Sequence, residues 1–295
     1  MRKLNNYILC ALVSVLLFFA FLASEGMFLI KNSVFSMETY ISILEENDIY
    51  SKVYSEIEKH FVNEENATAI PADVYLDKVS PELIREITNE NLISALEYIT
   101  GEKENLDFSS SQLKLDEMKK SIDSFFEEYA ASINYTKDDA YYAKTESVYR
   151  SAVSYITETT DVFQFEKINK AGYLNLARRV YGYTDVLTIA TFGAAGFLIL
   201  LLLLSNLKRI INSLYWISIS LCSVSLVILA AGGYFRFSGF FNRFAIKAPH
   251  IFSSITGAFY EFTDKLLIMN AILFTAGLVF MILYMIFGKE KNKAK

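Results

Sequence analysis

The stretch LNNYILCALVSVLLFFAFLAS, Leu4–Ser24, contains no charged side chain and decides the fold class of this chain. Three further charge-free runs follow it, at Val186–Leu207, Ile210–Phe235 and Leu266–Gly288. A helix needs about 20 apolar residues to cross the roughly 30 Å hydrocarbon layer of a bilayer. Each run reaches that length, so the sequence predicts four membrane-spanning helices.

The predicted fold is all-α, with a four-helix transmembrane bundle and an α-helical extracytoplasmic domain inserted between the first and second spans. The expected segments are a cytoplasmic N-terminus (1–6), spans at 7–30, 185–205, 212–235 and 265–287, the inserted domain (31–184), a cytoplasmic turn (206–211), an outer aromatic loop (236–264) and a basic cytoplasmic tail (288–295). The first span could be a cleaved signal peptide, since Ser24-Glu25-Gly26 offers small residues for cleavage. Apolar residues resume at Met27, however, which favours an uncleaved signal anchor.

Basic residues set the expected orientation. Arg2 and Lys3 precede the first run, Lys208 and Arg209 lie in the short turn, and the tail GKEKNKAK is rich in lysine. The positive-inside rule therefore places both termini in the cytoplasm and the inserted domain outside the cell membrane. The loop at 236–264 is also basic, which departs from the rule.

The inserted domain is acidic. Residues 31–184 hold 16 Lys and Arg against 28 Asp and Glu, a net charge of −12, whereas the whole chain carries −5. Such a surface repels the phosphates of nucleic acid, so no nucleic-acid partner is expected. The expected partners are the lipid bilayer and a protein in the membrane or envelope. The abundance of Ile, Lys and Asn suggests a bacterial source.

Helical periodicity runs through the inserted domain. Ile49, Val53, Ile57 and Phe61 form an apolar stripe, expected on a helix that continues from the first span. Ser80, followed by Pro81 and ended by Gly101, predicts the best-marked helix, because these are residues typical of helix starts and ends.

Three further helices are predicted before the second span. One carries the stripe Leu115, Met118, Ile122, Phe125, Tyr129 and Ile133. The next starts at Thr136 with Asp139 as its capping partner and turns Tyr141, Val148, Ala152 and Ile156 inward. The last runs from Phe165 to Tyr181. Beside it, Arg178, Arg179, Tyr181 and Tyr183 have the composition of a membrane interface, where arginines reach phosphates and tyrosines sit among headgroups.

The sequence contains no motif that specifies a reaction. Patterns such as H-E-x-x-H, G-x-S-x-G and the Walker A loop are missing. His60 has no second His or Cys three or four residues away, so no zinc pair is predicted and a structural or surface role is expected. Cys10 and Cys222 lie in predicted spans and are expected to be buried. No catalytic residue, cofactor or metal site is therefore predicted.

The outer loop FRFSGFFNRFAIKAPHIF, Phe235–Phe252, is rich in phenylalanine. The pattern predicts a short helix from Ser238 to Lys247, stopped by Pro249, with Phe240 and Phe244 on one face, and a second short helix from Phe252 to Phe262. One interpretation is an interfacial hairpin packed on the outer leaflet. The other is the floor of a groove for a lipid-linked or peptide ligand, in which Arg243, Lys247 and His250 supply donors.

Small and amide residues inside the spans are expected to join helices rather than to carry ions. Gly193–Gly196 and Gly232-Gly233 are expected to allow close backbone approach, and the polar positions expected to join helices are Ser218, Ser220, Ser223, Ser225 and Asn270.

Two functions remain open at the sequence level. The first is a non-enzymatic scaffold, accessory or ligand-sensing protein that uses its outer domain. The second is an enzyme or transporter subunit that handles envelope lipids or precursors at the aromatic loop. One crossing, a large outer domain and three more crossings is similar to the topology of macrolide-exporter and cell-division ABC permeases, although no segment matches a motif of that family.

Overall fold

The computed structural model describes residues 2–109 and 113–289, and within them every regular element is a helix. The predicted basic tail beyond residue 289 and part of the predicted FSSSQ loop, residues 110–112, lie outside the described residues. The chain separates into two compact units. We call Met1–Ser36, Tyr181–Phe244 and Phe259–Lys295 the span unit, and Met37–Val180 with Ala245–Ala258 the polar unit.

Four helices of the described chain are long and apolar enough to cross a membrane, which confirms the main sequence prediction. Their apolar stretches are Asn6–Val34, Tyr173–Ser205, Ile211–Phe237 and Pro249–Gly288. The corresponding helices are α1 (Arg2–Leu29, followed by a wider π turn at Ile30–Val34), α9 (Tyr173–Ser205), α10 (Ile211–Phe237) and α11 (Pro249–Lys289).

In the span unit, α1 packs against α10. The hydroxyl groups of Ser14 and Ser220 lie 2.8 Å apart, and Ser220 also donates to the Ser14 carbonyl at 2.8 Å. The prediction that Ser220 joins two helices is therefore confirmed. The buried residues of this core are Cys10, Val13, Leu17, Ala195, Leu202, Trp216, Ile217 and Leu221.

The other polar positions of the spans behave differently from one another. Ser218 reaches across to the sulfur of Met281 at 3.7 Å. Ser223 is exposed, and Ser225 is buried without a hydrogen-bond partner among the described residues. Asn270 donates to its own helix, at the Leu266 carbonyl. The expectation of hydrogen bonds between helices is therefore wrong for Ser223 and Ser225 among the described residues, whereas the side-chain amide of Asn270 on α11 reaches Glu25 on α1.

Close helix approach occurs at a glycine that the sequence did not single out. A Cβ atom at Gly277 would lie 2.7 Å from the Cys222 sulfur and 3.2 Å from its backbone nitrogen. Gly232 meets the side chain of Leu267, whereas a Cβ at Gly193, Gly196 or Gly233 would meet nothing within 4 Å among the described residues. Gly277 therefore brings α11 against α10, and the predicted role of Gly193–Gly196 is wrong within the described chain.

The polar unit is built from shorter helices: α2 (Met37–Glu46), α3 (Ile49–Thr68), α4 (Ala72–Leu76), α5 (Pro81–Thr100), α6 (Asp116–Ser132), α7 (Asp139–Thr160) and α8 (Phe165–Lys170). The central helix is α3, which contacts α2, α4, α5 and α7. Its predicted stripe, Ile49, Val53, Ile57 and Phe61, is fully buried.

The sequence predicted the two ends of α5 correctly and the start of α7 incorrectly. Ser80 accepts a hydrogen bond from the Leu83 amide at 3.1 Å, and Gly101 ends α5 with φ 87°, as predicted. The predicted start at Thr136 is wrong, since Asp138 caps α7 by accepting from the Tyr141 amide at 2.9 Å. An Asp at the cap position is favourable because it satisfies an otherwise free amide.

The apolar stripes of α6 and α7 are buried in part. Leu115, Met118 and Ile122 are buried, whereas Tyr129 and Ile133 are exposed. The buried side of α6 nevertheless extends to Ala130, two residues before the helix ends at Ser132. On α7 the predicted inward residues Tyr141, Ala152 and Ile156 are buried, and Val148 is half-buried.

Two predicted helix continuations are wrong. The first span does not continue into α3, because the chain forms α2 in between and Asp48 takes a left-handed conformation, φ 52°. The helix predicted from Phe165 to Tyr181 breaks at Gly172, φ 81°, and α9 begins afresh at Tyr173. Each positive φ stops the helical hydrogen-bond ladder.

The two short helices predicted in the aromatic loop are also wrong. Gly239 ends α10 with φ 65°, and a single 3-10 turn forms at Phe241–Arg243. Pro249, predicted to stop a helix, instead begins α11 at the first helical position, where its missing N–H is not needed. The second predicted helix is part of α11.

Candidate functional site

The polar unit contains a groove of about 570 Å³ between α3, α6 and α7. It is lined mainly by His60, Phe61, Glu64, Ile70, Tyr75, Phe125, Phe126, Tyr129, Lys144, Ser147 and Ser151. These three helices supply most of the lining, while Ile70 precedes α4 and Tyr75 lies on it. An adjoining concavity of about 810 Å³ shares four of the lining residues and extends along α7 past Arg150 and Glu158.

Two stacked ring pairs border this groove and the adjoining concavity. His60 lies on Tyr155, with ring centroids 3.4 Å apart and planes 12° apart. Phe61 lies on Tyr75, with centroids 4.4 Å apart and planes 10° apart. Flat walls of this kind fit a flat apolar group better than a bulky branched one.

Burial raises the pKa of the Tyr75 hydroxyl to about 12, and the nearby Glu64 carboxylate adds to the rise. Burial also raises the pKa of Tyr155. Both phenols therefore stay neutral at ordinary pH. They can offer a hydrogen bond, but they are poorly suited to proton transfer near pH 7.

Charged groups stand at the edge of the groove. Glu64 lies 3.9 Å from the His60 ring nitrogen. Lys119 is paired with Glu146 at 2.8 Å, but Lys144 has no hydrogen-bond or ion-pair partner among the described residues. The groove therefore offers one free cation and one carboxylate next to aromatic walls.

His60 was expected to have a structural or surface role. The structure places its ring on Tyr155, where it forms part of the groove wall. Among the described residues, no group of three His, Cys, Asp or Glu side chains is arranged to hold a metal ion.

The structure divides the five residues predicted as a ligand site in the aromatic loop. Phe240, Arg243 and Phe244 belong to the span unit, whereas Lys247 and His250 belong to the polar unit. Phe240 and Phe244 do lie together, with ring centroids 6.1 Å apart. His250 is buried in the first turn of α11, and the carboxylate of Glu56 on α3 is a charged group that acts on it.

Within the span unit, Phe241 lies at the centre of a cluster of aromatic rings. This side chain stacks on Phe259 with centroids 5.1 Å apart and meets Phe244 at 6.0 Å and Tyr260 at 5.2 Å. Arg236 lies over the Tyr260 ring and pairs with Asp264 at 2.7 Å. The phenylalanine rings therefore pack against one another.

The four residues predicted at a membrane interface have separate surroundings. Arg178 donates to the carbonyls of Lys103 and Glu104 at 3.0 and 3.2 Å and lies over the Tyr98 ring. Tyr181 meets the Phe35 ring edge-on at 5.2 Å. Arg179 and Tyr183 are exposed. Arg178 thus holds the end of α5 in addition to any role at a bilayer.

The sequence reasoning missed both the groove and a buried acid, Glu25. The groove arises where three helices meet, which no local pattern reveals. Glu25 could have been found, because apolar residues resume after it and α1 runs on to Leu29.

Comparison of the chain with protein-family models, curated proteins and solved structures gave no match.

Proposed function

We propose that this chain is a non-enzymatic, multi-pass membrane protein that holds a ligand-sensing helical domain outside the cytoplasm. Both termini and the turn at Leu207–Arg209 lie in the cytoplasm on this proposal. Its support is the basic character of Arg2, Lys3, Lys208 and Arg209, together with the net charge of −12 across residues 31–184.

The groove between α3, α6 and α7 is the observation that carries the ligand-sensing part. Small-molecule sites in proteins are typically concavities of about 300–1,000 Å³ with apolar and aromatic walls and a few polar groups. The groove, at about 570 Å³, has that size, and its lining includes several aromatic side chains. By contrast, the aromatic cluster around Phe241 is occupied by its own rings.

The lining favours a small ligand with a flat apolar body and at least one charged group. The ring pairs His60–Tyr155 and Phe61–Tyr75 supply the flat walls. Lys144 and Glu64 supply opposite charges at the edge. Binding is favoured over catalysis because burial raises the pKa of the Tyr75 hydroxyl in the groove and of the Tyr155 hydroxyl in the adjoining concavity, so both are poorly suited to proton transfer near pH 7.

We expect a groove-filling substitution, Ser151→Trp, to abolish ligand binding. Ser151 lines the groove and is exposed, so the larger side chain blocks the site without disturbing the core. The probes are benzoate, benzylammonium and phenylalanine, which combine one ring with an anion, a cation or both. Saturation-transfer NMR on the full chain in lipid nanodiscs measures their binding.

The matched control is Ala131→Trp, an exposed position of α6 that does not line the groove. We expect at least one probe to bind the wild type, to bind Ser151→Trp about tenfold more weakly or worse, which corresponds to about 1.4 kcal/mol, and to bind the control normally. Equal probe signals from the wild type and Ser151→Trp would show that the groove is not the binding site.

A further inference from the structure

Glu25 is an acidic residue inside the first apolar helix. It lies five residues past the midpoint of Asn6–Val34, which is about 7.5 Å along a helix axis. Half of a bilayer's hydrocarbon layer measures about 15 Å, so this position falls within it. The side chain is also 5% exposed, which places it among neighbouring helices of the span unit.

The immediate surroundings of Glu25 contain more hydrogen-bond acceptors than donors. Neither carboxyl oxygen of Glu25 has a hydrogen-bond partner among the described residues, and neither does Oδ1 of Asn270. The amide of Asn270 is the polar group that reaches this carboxyl. Its Nδ2, however, already donates to the Leu266 carbonyl at 3.0 Å. The two carboxyl oxygens of Glu25 therefore share at most the second N–H of this amide, and Oδ1 of Asn270 has no donor among the described residues.

Charged neighbours do not resolve this shortage. On α1 and α9, Lys31 pairs with Asp185 at 2.6 Å. On α10 and α11, Arg236 pairs with Asp264 at 2.7 Å. Also on α11, Lys265 pairs with Glu261 at 3.3 Å. No charged side chain of the described chain contributes to the electrostatics at Glu25.

An ionised carboxylate in this setting would be buried without a counter-charge and with at most one amide N–H as a donor, which is strongly unfavourable. A metal ion such as Ca²⁺ would need about six or more oxygen ligands. Glu25 and Asn270 offer three side-chain oxygens, and helix carbonyls are occupied by the helix itself. A proton needs a single acceptor atom and supplies the missing donor.

We propose that Glu25 is a proton-binding site whose neutral carboxyl group donates a hydrogen bond to Oδ1 of Asn270. The proton forms an O–H bond on Glu25 and turns one of the three unsatisfied acceptors into a donor for another. This bond joins α1 to α11, so occupancy of the site controls how the first and fourth span helices hold together. The inference stands independently of the groove in the polar unit.

Infrared spectroscopy of the full chain in lipid nanodiscs at pH 7 tests this assignment. We expect the wild type to show the C=O stretching band of a buried protonated carboxylic acid. The proton of this acid should exchange only slowly for deuterium. Glu25→Gln removes that band while its amide keeps a donor for Asn270, so the variant stays folded. The matched control, Asp185→Asn, removes an exposed acid of the same unit and leaves the band in place.

A second variant, Asn270→Leu, separates proton binding from simple loss of structure. We expect the band to persist in this variant but to move to higher frequency, because the carboxyl group has lost its acceptor. The proposal is overturned if the Glu25→Gln minus wild-type spectrum shows only carboxylate bands. It is also overturned if Glu25→Gln releases a co-purifying subunit, since Glu25 would then be ionised against a partner's cation.

Discussion

Replacing Ile57 by alanine is expected to lower the free energy of unfolding of the polar unit by about 2–5 kcal/mol. Ile57 is 0% exposed and lies at the middle of α3, the helix that contacts α2, α4, α5 and α7. The loss combines the removed apolar contacts with the cavity left behind, because packed helices relax only in part. Hydrogen exchange of the α3 and α5 amides should accelerate about 30-fold or more, since about 1.4 kcal/mol corresponds to a tenfold change.

Two variants bracket this result. Ile57→Val removes one methyl group and should cost about 0.5–1.5 kcal/mol. Val62→Ala, on the same helix, changes a side chain that is 48% exposed and should lie within about 0.5 kcal/mol of the wild type. A cost at Ile57 no larger than that at Val62 would mean that α3 is not the centre of this core.

Asp161→Ala is expected to destabilise the polar unit by about 2–4 kcal/mol, because it strands two backbone N–H groups. Asp161 is 5% exposed. Its two oxygens accept hydrogen bonds from the amides of Phe165 at 2.8 Å and Glu166 at 2.9 Å, at the start of α8. Amide exchange at Phe165 and Glu166 should accelerate together with that of the surrounding helices.

The matched comparison is Asp138→Ala at the start of α7. Asp138 caps one amide, that of Tyr141, in an accessible position. Its loss should cost about 0.5–2 kcal/mol. If Asp161→Ala and Asp138→Ala lower the free energy of unfolding by the same amount, burial of Asp161 adds no stability to its cap. That result would contradict the expectation.

The shifted pKa of Asp161 also sets the direction in which the stability of the polar unit changes with pH. Burial raises the pKa of its carboxyl group, although the two amide hydrogen bonds act in the opposite direction. An acid with a raised pKa in the folded state binds its proton more tightly there. Its contribution is fully present below the unfolded pKa of about 3.9 and is lost as the pH rises through the folded value. The stability difference between wild type and Asp161→Asn should therefore decrease as the pH rises from about 4 to 7.

Asp107 provides the opposite case. Hydrogen bonds from the amide and hydroxyl groups of Ser109 lower the pKa of the Asp107 carboxyl group. Its contribution is present above the unfolded pKa and is lost in acid. The difference in free energy of unfolding between wild type and Asp107→Asn should therefore increase with pH.

Features that depend on nearby residues could be predicted from the sequence. The charge-free runs gave the four apolar helices, since length and composition are sufficient for such a prediction. Ser80 and Gly101 marked α5 correctly, because a cap hydrogen bond and a left-handed glycine involve residues only a few positions apart. The stripe from Ile49 to Phe61 identified the central face of α3 for the same reason.

The aromatic loop shows where local reasoning fails. Pro249 is compatible both with the end of one helix and with the first position of another. The neighbouring residues do not show which of the two positions it takes. In the structure, Pro249 is the first residue of α11. Similarly, Asp48 takes a left-handed conformation without being glycine, so the break between α2 and α3 carries no strong sequence signal.

The candidate sites depend on tertiary contacts that lie far apart in sequence. His60 and Tyr155 are separated by 95 positions, and their stacking could not follow from either helix alone. Glu25 and Asn270 come from the first and fourth spans, so neither residue by itself predicts the other. A sequence signal existed for Glu25, namely an acid followed by resumed apolar residues, and the prediction stopped the charge-free run one residue before it.

The location of the polar unit outside the cytoplasm is the central claim, and cysteine labelling tests it most directly. Cys10 and Cys222 are replaced by alanine, and single cysteines are introduced by Thr136→Cys in the polar unit or Leu207→Cys in the short turn, both exposed positions. We predict that a membrane-impermeant maleimide labels Thr136→Cys in intact cells and labels Leu207→Cys only after the membrane is disrupted. Labelling of Leu207→Cys in intact cells, with Thr136→Cys protected, would contradict the account.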